Sequence, residues 1–157
     1  MTVPALPPTP DLPAHAVDAA AAHLRGVLAI AIEHGPARRA LVVYDTRTSL
    51  ARALVEAYRR NLPAAEFLDF DSVAPAEVLA RFRDLAPHDL VVLVQSTNFR
   101  LEAFRIRVEL FKLGLKVIEH VHLSRMPGLQ GEHYIDALAY DPAYFRGVGR
   151  ALKGRID

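Results

Sequence analysis

Two short runs of consecutive apolar residues constrain the fold of this chain more than any other feature. They are Ala40-Leu41-Val42-Val43-Tyr44 and Leu90-Val91-Val92-Leu93-Val94. A short run without a polar position, rich in β-branched residues, is typical of a strand that is covered on both faces, as in a parallel sheet. Residues 65–70 alternate as a strand does, and residues 115–123 form a further candidate. The sequence therefore predicts four strands.

Helical patterns separate these strands. They run from His15 to His34, over about 50–60, from Pro75 to about Leu85, from about Phe99 to Leu113, and from about His133 to Arg155 with a break at Pro142. Such alternation predicts a mostly parallel sheet between two layers of helices. We therefore expect an α/β three-layer sandwich with about four strands, Rossmann-like in architecture. It occupies residues 14–157 as a single domain, after a proline-rich lead-in at 1–13.

The helix predicted over 99–113 is rich in apolar residues. Leu101, Phe104, Val108 and Phe111 make one stripe, which Ile106, Leu110 and Leu113 widen. A stripe at this spacing faces the core of a globular protein. Gly114 is a natural C-terminal cap for the helix.

Composition and charge exclude several classes of protein. Nineteen basic and 18 acidic residues leave a net charge of +1, which disfavours a strongly cationic nucleic-acid binder. The absence of Cys excludes disulfide scaffolds, thiolate zinc sites, iron–sulfur clusters and cysteine nucleophiles. No apolar run reaches ~18 residues, and the amino terminus lacks the layout of a signal peptide. We therefore expect a cytoplasmic protein that binds neither nucleic acid nor membrane.

Ligands of open α/β sheets bind beyond the carboxyl ends of the strands, where the strand order reverses. The segment after the first strand, residues 45–49, contains hydroxyls but no glycine, and neither G-x-G-x-x-G nor G-x-x-x-x-G-K-[ST] occurs in the chain. Those glycines let the backbone close on a phosphate. Residues 45–49 therefore predict a helix cap, by Thr48 or a neighbour. After the second strand, Asp69 and Asp71 are expected to be solvated carboxylates.

The segment after the third strand offers several polar side chains just where the helix is predicted to begin. Ser96, Thr97, Asn98 and Arg100 follow Gln95 there, although a helix cap needs only one such side chain. These four residues are therefore candidate contacts for a small ligand or for another domain. Capping combined with surface polarity is an equal alternative. No G-x-S-x-G motif surrounds Ser96, so it is a weak candidate nucleophile.

The fourth predicted strand carries two histidines. His120 and His122 would project from one face of a strand, at a spacing that lets both reach one zinc ion. A third ligand is not apparent, because Glu119 points to the opposite face. Histidines packed or hydrogen-bonded at a strand end are therefore favoured, and a metal site is the weaker alternative.

The carboxyl-terminal segment is unusually aromatic. Residues 134–145 hold three of the five tyrosines, and tyrosines are frequent at contact surfaces, which makes Tyr134 a candidate contact residue. An amphipathic helical pattern then continues through Val148, Leu152 and Ile156. Neither Gly nor Pro follows it, as in a helix that continues into a further segment.

Several strings of residues resemble those of one enzyme family. They are Ser96 to Arg100, Leu110 to Lys112, Lys116 to His120, His122-Leu123, Tyr134 to Pro142 and Gly149 to Lys153. Over about residues 36–157, the chain resembles the amino-terminal region of aminopeptidase T-like metallopeptidases, the thermophilic metallopeptidases often called leucyl aminopeptidases. The strings are not a catalytic signature. They are similar to the amino-terminal α/β domain of that family.

The resemblance implies a function for a longer protein. In the family, Glu, His, Tyr and Asp residues of a following domain hold two divalent metals, such as Zn, Co or Mn, which assist peptide hydrolysis at a free amino terminus. None of those ligands can be placed on this sequence. The resemblance therefore implies an inactive chain without catalytic residues or a cofactor, whose partners are a carboxy-terminal catalytic domain and further copies in a homo-oligomer.

Two alternatives to this interpretation remain open. The chain could be a stand-alone α/β module that binds a ligand or partner through the residues around Ser96 and His120. It could also be a domain of a related ring-cleaving dioxygenase, which uses one iron ion in place of two hydrolytic metals.

Overall fold

The computed structural model describes residues 12–99 and 105–156, and its centre is a four-stranded sheet. The strands are β1 (Ala40–Tyr44), β2 (Glu66–Asp69), β3 (Leu90–Val94) and β4 (Lys116–His120). They are all parallel, in the order β2-β1-β3-β4. Tyr44 pairs with Asp69 and Val94, and Val94 pairs with His120, so the carboxyl ends of all four strands meet at one edge.

Helices cover both faces of the sheet. The described helices are α1 (Ala14–Gly26), α2 (Ser49–Asn61), α3 (Pro75–Arg83), α4 (Ile106–Lys112), α5 (Leu129–Asp136) and α6 (Pro142–Ile156), of which α6 contributes no residue to either core. The core on one face includes residues of α1, α2 and α5, and the core on the other includes residues of α3 and α4. The predicted α/β three-layer, Rossmann-like sandwich is therefore confirmed.

The two apolar runs form the neighbouring strands β1 and β3, as their pattern indicates. Val42 and Val92 belong to the core under α1 and α2, whereas Leu41 and Val91 belong to the core under α3 and α4. Successive side chains of a strand point to opposite faces, so both faces of these strands must be apolar. Tyr58 is among the largest buried side chains of the first core.

The bounds of the helices differ from the predictions at several ends. The first helix is α-helical only to Gly26 and closes with a π-helical turn over Val27–Ala31, in which wider i→i+5 bonds replace the usual ones. The last helical stretch begins earlier, at Leu129, and is divided before Pro142 as predicted. Gly114 has φ +68° and ends α4, so its predicted capping role is confirmed.

The prediction for α4 is wrong in its start and in its buried face. Phe99 is not helical, and its N–H donates to the Gln95 side chain at 2.8 Å; Leu101 and Phe104 lie outside the described residues. Ile106 and Leu110 are buried, but Val108 and Phe111 are exposed. The segment has two apolar stripes at similar spacing, one with Ile106 and Leu110 and one with Val108 and Phe111. The sheet covers only the first.

The fourth strand is shorter than predicted. It ends at His120, and His122 adopts a left-handed conformation with φ +55°. The chain then turns across the end of β3, where Leu123 N–H donates to Gln95 O and Ser124 N–H donates to Ser96 O. A 3₁₀ turn over Leu123–Arg125 follows. Within the described residues, no helix is long and apolar enough to span a membrane.

Candidate functional site

The carboxyl ends of β1 and β3 form the topological switch point of the sheet. The two strands are neighbours, yet the chain leaves β1 for β2 on one side and leaves β3 for β4 on the other. Ligands of open α/β sheets bind at such a point. The loops that meet there are residues 45–48 and 95–99.

Asp45 is the central residue of this edge, although the sequence predicts only a helix cap within residues 45–49. Its side chain is buried, with the residue 1% exposed, and it accepts two hydrogen bonds from Ser96. One comes from the Ser96 N–H at 2.8 Å and one from the Ser96 Oγ at 2.5 Å. The N–H of Arg47 adds a third, at 3.2 Å. A buried carboxylate needs such donors, so Asp45 fastens the loop after β1 to the loop after β3.

Ser96 and Thr48 continue this network to a helix. The Thr48 Oγ1 lies 3.1 Å from the Ser96 Oγ and accepts from the Ala51 N–H at 3.1 Å. Because Ser96 Oγ–H donates to Asp45, the Thr48 hydroxyl is left to donate to Ser96. The predicted cap by Thr48 is therefore confirmed, and the chain of donors runs from the start of α2 to Asp45. The Ser96 hydroxyl is engaged in hydrogen bonds with Asp45 and Thr48, and no described histidine bonds to it.

Two of the remaining candidates after β3, Thr97 and Asn98, are exposed, and the third, Arg100, lies outside the described residues. Gln95 is buried beneath them and accepts from the Phe99 N–H, while the Phe99 ring stacks on Phe70 at 4.1 Å between centroids. Thr97 and Asn98 are therefore exposed polar groups held on a braced loop.

The acidic residues after β2 are engaged by neighbouring groups. Asp71 is exposed and forms a two-bond ion pair with Arg47, in which Nε donates to Oδ2 at 2.9 Å and Nη2 donates to Oδ1. The hydrogen bonds from Arg47 hold the pKa of Asp71 below its usual range. Asp69 accepts from the Asp71 N–H at 3.0 Å and from the Ser72 hydroxyl at 3.1 Å. The pair thus shapes the turn after β2.

His120 lies buried between two tyrosines. Its Nε2 is 2.8 Å from the Tyr58 hydroxyl on α2, and its Nδ1 is 2.7 Å from the Tyr134 hydroxyl on α5. Burial lowers the pKa of His120 to about 4 and raises the pKa of Tyr134 to about 12; the pKa of Tyr58 is also raised, chiefly by burial. All three groups are therefore neutral near pH 7, with one imidazole nitrogen donating and the other accepting.

The two histidines do not share a strand face. The prediction requires an extended chain through His122, but β4 ends at His120 and His122 is left-handed. Both nitrogens of His120 are also occupied by tyrosine hydroxyls. In residues 12–99 and 105–156, no three His, Asp or Glu side chains come together as a metal site, so these residues do not fit a two-metal centre.

Tyr134 and Tyr58 show what the sequence did and did not indicate. Tyr134 was a candidate contact residue, and the structure places it inward, against His120. Tyr58 lies in the helix predicted over about 50–60, and its hydroxyl gave no local signal. Asp45 did carry a signal in the sequence. A carboxylate directly after a buried strand must find hydrogen-bond donors at the edge where the strand ends meet.

No family model, curated protein or solved structure matches this chain.

Proposed function

We propose that this chain is the non-catalytic, amino-terminal α/β domain of a cytoplasmic metallo-aminopeptidase-like protein. In this proposal a following domain holds the divalent metals and hydrolyses peptides at a free amino terminus. The present domain positions that catalytic domain by docking against it. The observation that carries the proposal is helix α6, which exposes an apolar face along its whole length.

The apolar face of α6 is that of a docking helix. None of its 15 residues is buried. Phe145, Val148, Leu152 and Ile156 follow one another at intervals of three and four residues, so they lie on one side of the helix. Ile156 is 84% exposed and Leu152 is 54% exposed. Contiguous apolar surface of this kind on a protein marks a site of association.

The charges of α6 indicate what kind of surface it docks on. Residues 142–156 carry Arg146, Arg150, Lys153 and Arg155 and no acidic residue. Opposite potentials favour association and set its orientation. The expected partner surface is therefore an apolar groove with acidic residues around it, presented by the following domain.

The strand ends support a positioning role. Asp45, Ser96 and Thr48 hydrogen-bond one another, and His120 is held by two tyrosines. These polar groups bind parts of the same domain together, so the edge of the sheet is a rigid support. The resemblance over residues 36–157 supports an aminopeptidase-like protein as the one that such a support would serve.

The test compares this chain with the product of its native host. An antibody raised against this chain captures that product, and both are assayed on leucine p-nitroanilide with Zn, Co or Mn added. We expect hydrolysis by the captured product and none by the 157-residue chain. Hydrolysis by the chain alone, or no hydrolysis by the captured product, would contradict the proposal.

A second candidate function rests on Thr97 and Asn98. These exposed side chains lie at the switch point, where open α/β sheets bind ligands. A stand-alone binding module would then show a saturable rise in melting temperature with one member of a panel of metals and metabolites. Asn98→Ala and His122→Ala would remove that rise if the strand ends carry the site. A panel without any shift would count against this candidate.

A further inference from the structure

Within the described residues, the outer edge of β4 has backbone groups without a hydrogen-bond partner. β4 is the last strand of the sheet, and no described strand pairs with its outer side. The Lys116 N–H donates to Asp89 O, and the His120 O accepts from the Gln95 N–H, so the even-numbered residues bond to β3 and its flanks. Alternate residues of a parallel strand point their N–H and C=O to opposite sides. Val117 and Glu119 therefore direct these groups away from the sheet.

An apolar groove of about 280 Å³ runs beside this edge. Phe111, Leu115 and Val117 line it, and the Phe111 side chain is 85% exposed. Arg107 and Glu119 also line the groove and form an ion pair, with Nε and Oε2 at 2.7 Å. The edge thus combines free hydrogen-bonding groups with an exposed aromatic ring.

Edge strands in soluble proteins are normally guarded against pairing. The opposite edge strand, β2, is only four residues long and carries Glu66 and Asp69, two acidic residues with no basic one. β4 has no proline, its Lys116 and Glu119 are opposite in charge, and the apolar pair Val117-Ile118 lies between them. Of the two edges, β4 is therefore the one open to a further strand.

We propose that a second copy of this chain pairs with β4 in antiparallel orientation, about a twofold axis through Val117. The N–H and C=O of Val117 would then bond to the C=O and N–H of the partner's Val117, as in an antiparallel hydrogen-bonded pair. The two Phe111 rings would meet near the axis and cover the two grooves. The four-stranded sheets would become one sheet across both copies.

The charges along the edge favour a second copy as the occupant. A twofold interface places the same patch on both subunits, so a patch with net charge repels itself. The groove carries one Arg and one Glu that neutralise each other, and the ammonium group of Lys116, on the same strand, donates to Ile32 O at 2.6 Å instead of facing the groove. Helix α6 has four basic residues and no acidic one, so it is a poor surface for self-association. The proposal does not depend on the function proposed above.

Sedimentation equilibrium of the full 157-residue chain over a concentration series tests the pairing. We expect the mass to rise from 17.3 kDa toward twice that value as the concentration increases. Phe111→Lys should weaken self-association about tenfold or more, because it places two charges near the axis. Phe111 is almost fully exposed, so this variant should keep the fold, which circular dichroism checks.

Leu152→Lys is the matched control, since it adds the same charge to an exposed apolar residue of α6. It should leave the self-association unchanged. Hydrogen exchange should also show slower exchange of the Val117 and Glu119 amides at high concentration. A chain that stays monomeric throughout, as it would if β4 bound only a foreign peptide, overturns the proposal. Dimers that Leu152→Lys disrupts and Phe111→Lys does not would overturn it as well.

Discussion

Helices α2 and α6 have similar lengths and similar patterns, but they have opposite surroundings. α2 has 13 residues, of which seven are buried, whereas α6 has 15 residues and none is buried. Both combine apolar residues with arginines. α2 is capped by Thr48, which belongs to the strand-end network, and packs on the sheet and on α1. An amphipathic pattern therefore specifies which face of a helix must be covered, but not what covers it.

The largest expected effect comes from the covered helix. Leu54 of α2 is fully buried, and Leu54→Ala removes buried methyl groups and leaves a cavity. We expect the free energy of unfolding to fall by about 2–5 kcal/mol. Urea denaturation followed by circular dichroism measures the change. A loss below about 1 kcal/mol would show that α2 is not packed as the structure has it.

A smaller loss is expected at the strand ends on which α2 begins. Asp45→Ala leaves the N–H and hydroxyl of Ser96 without their acceptor in a buried site. We expect a loss of about 2 kcal/mol in the free energy of unfolding. The control is Asp71→Ala, which removes an exposed carboxylate from the same edge and should change stability little. Equal losses in the two variants would mean that the Asp45 network does not brace the loops.

The buried His120 makes stability depend on pH. Its pKa is about 4 in the folded protein and 6.5 in the unfolded chain, because burial disfavours the charged form. The contribution of neutral His120 to the free energy of unfolding is complete above pH 6.5. It is lost as the pH falls toward 4, because in this range the histidine takes up a proton only in the unfolded chain. The loss is about 1.4 kcal/mol per pH unit at most.

Nuclear magnetic resonance of the imidazole Cε1–H checks this assignment directly. The His120 signal should not titrate between pH 7 and pH 5, and unfolding experiments at the same pH values should show the decline in stability. His120→Asn should lack that part of the decline. A His120 signal that titrates near pH 6.5 would contradict the burial between Tyr58 and Tyr134.

The smallest effect is expected on the uncovered helix. Leu152 of α6 is the counterpart of Leu54, and Leu152→Ala removes the same groups from a half-exposed position. We expect a change within about 0.5 kcal/mol in the free energy of unfolding of this chain. A loss as large as that of Leu54→Ala would mean that α6 is packed on the domain in solution, and the comparison between the two helices would fail.

The same contrast explains what the sequence could predict. The strands over 40–44 and 90–94 were predicted to the residue, because burial on both faces demands consecutive apolar residues. The buried face of α4 was not predicted correctly, because the apolar stripe with Ile106 and the apolar stripe with Phe111 have similar spacing. Only the position of the sheet decides between them.

The candidate site was predicted only where its chemistry is local. Thr48 caps α2 by accepting a hydrogen bond from the N–H of Ala51, only three positions further along the chain, so a local sequence pattern was enough to predict it. Asp45 and Ser96 are 51 positions apart, and Tyr58 and His120 are 62 positions apart. These contacts exist because β1 and β3 are neighbours and because α2 and α5 lie on the same face of the sheet. The order of the strands in the sheet determines these contacts, and no local sequence motif indicates that order.

The most direct test of the central claim is the intact mass of the protein that the native host makes, detected with an antibody against this domain. If α6 docks on a following catalytic domain, the product is much larger than 17.3 kDa, and the apolar face of α6 is protected from labelling in it. A native product of 17.3 kDa would contradict the claim.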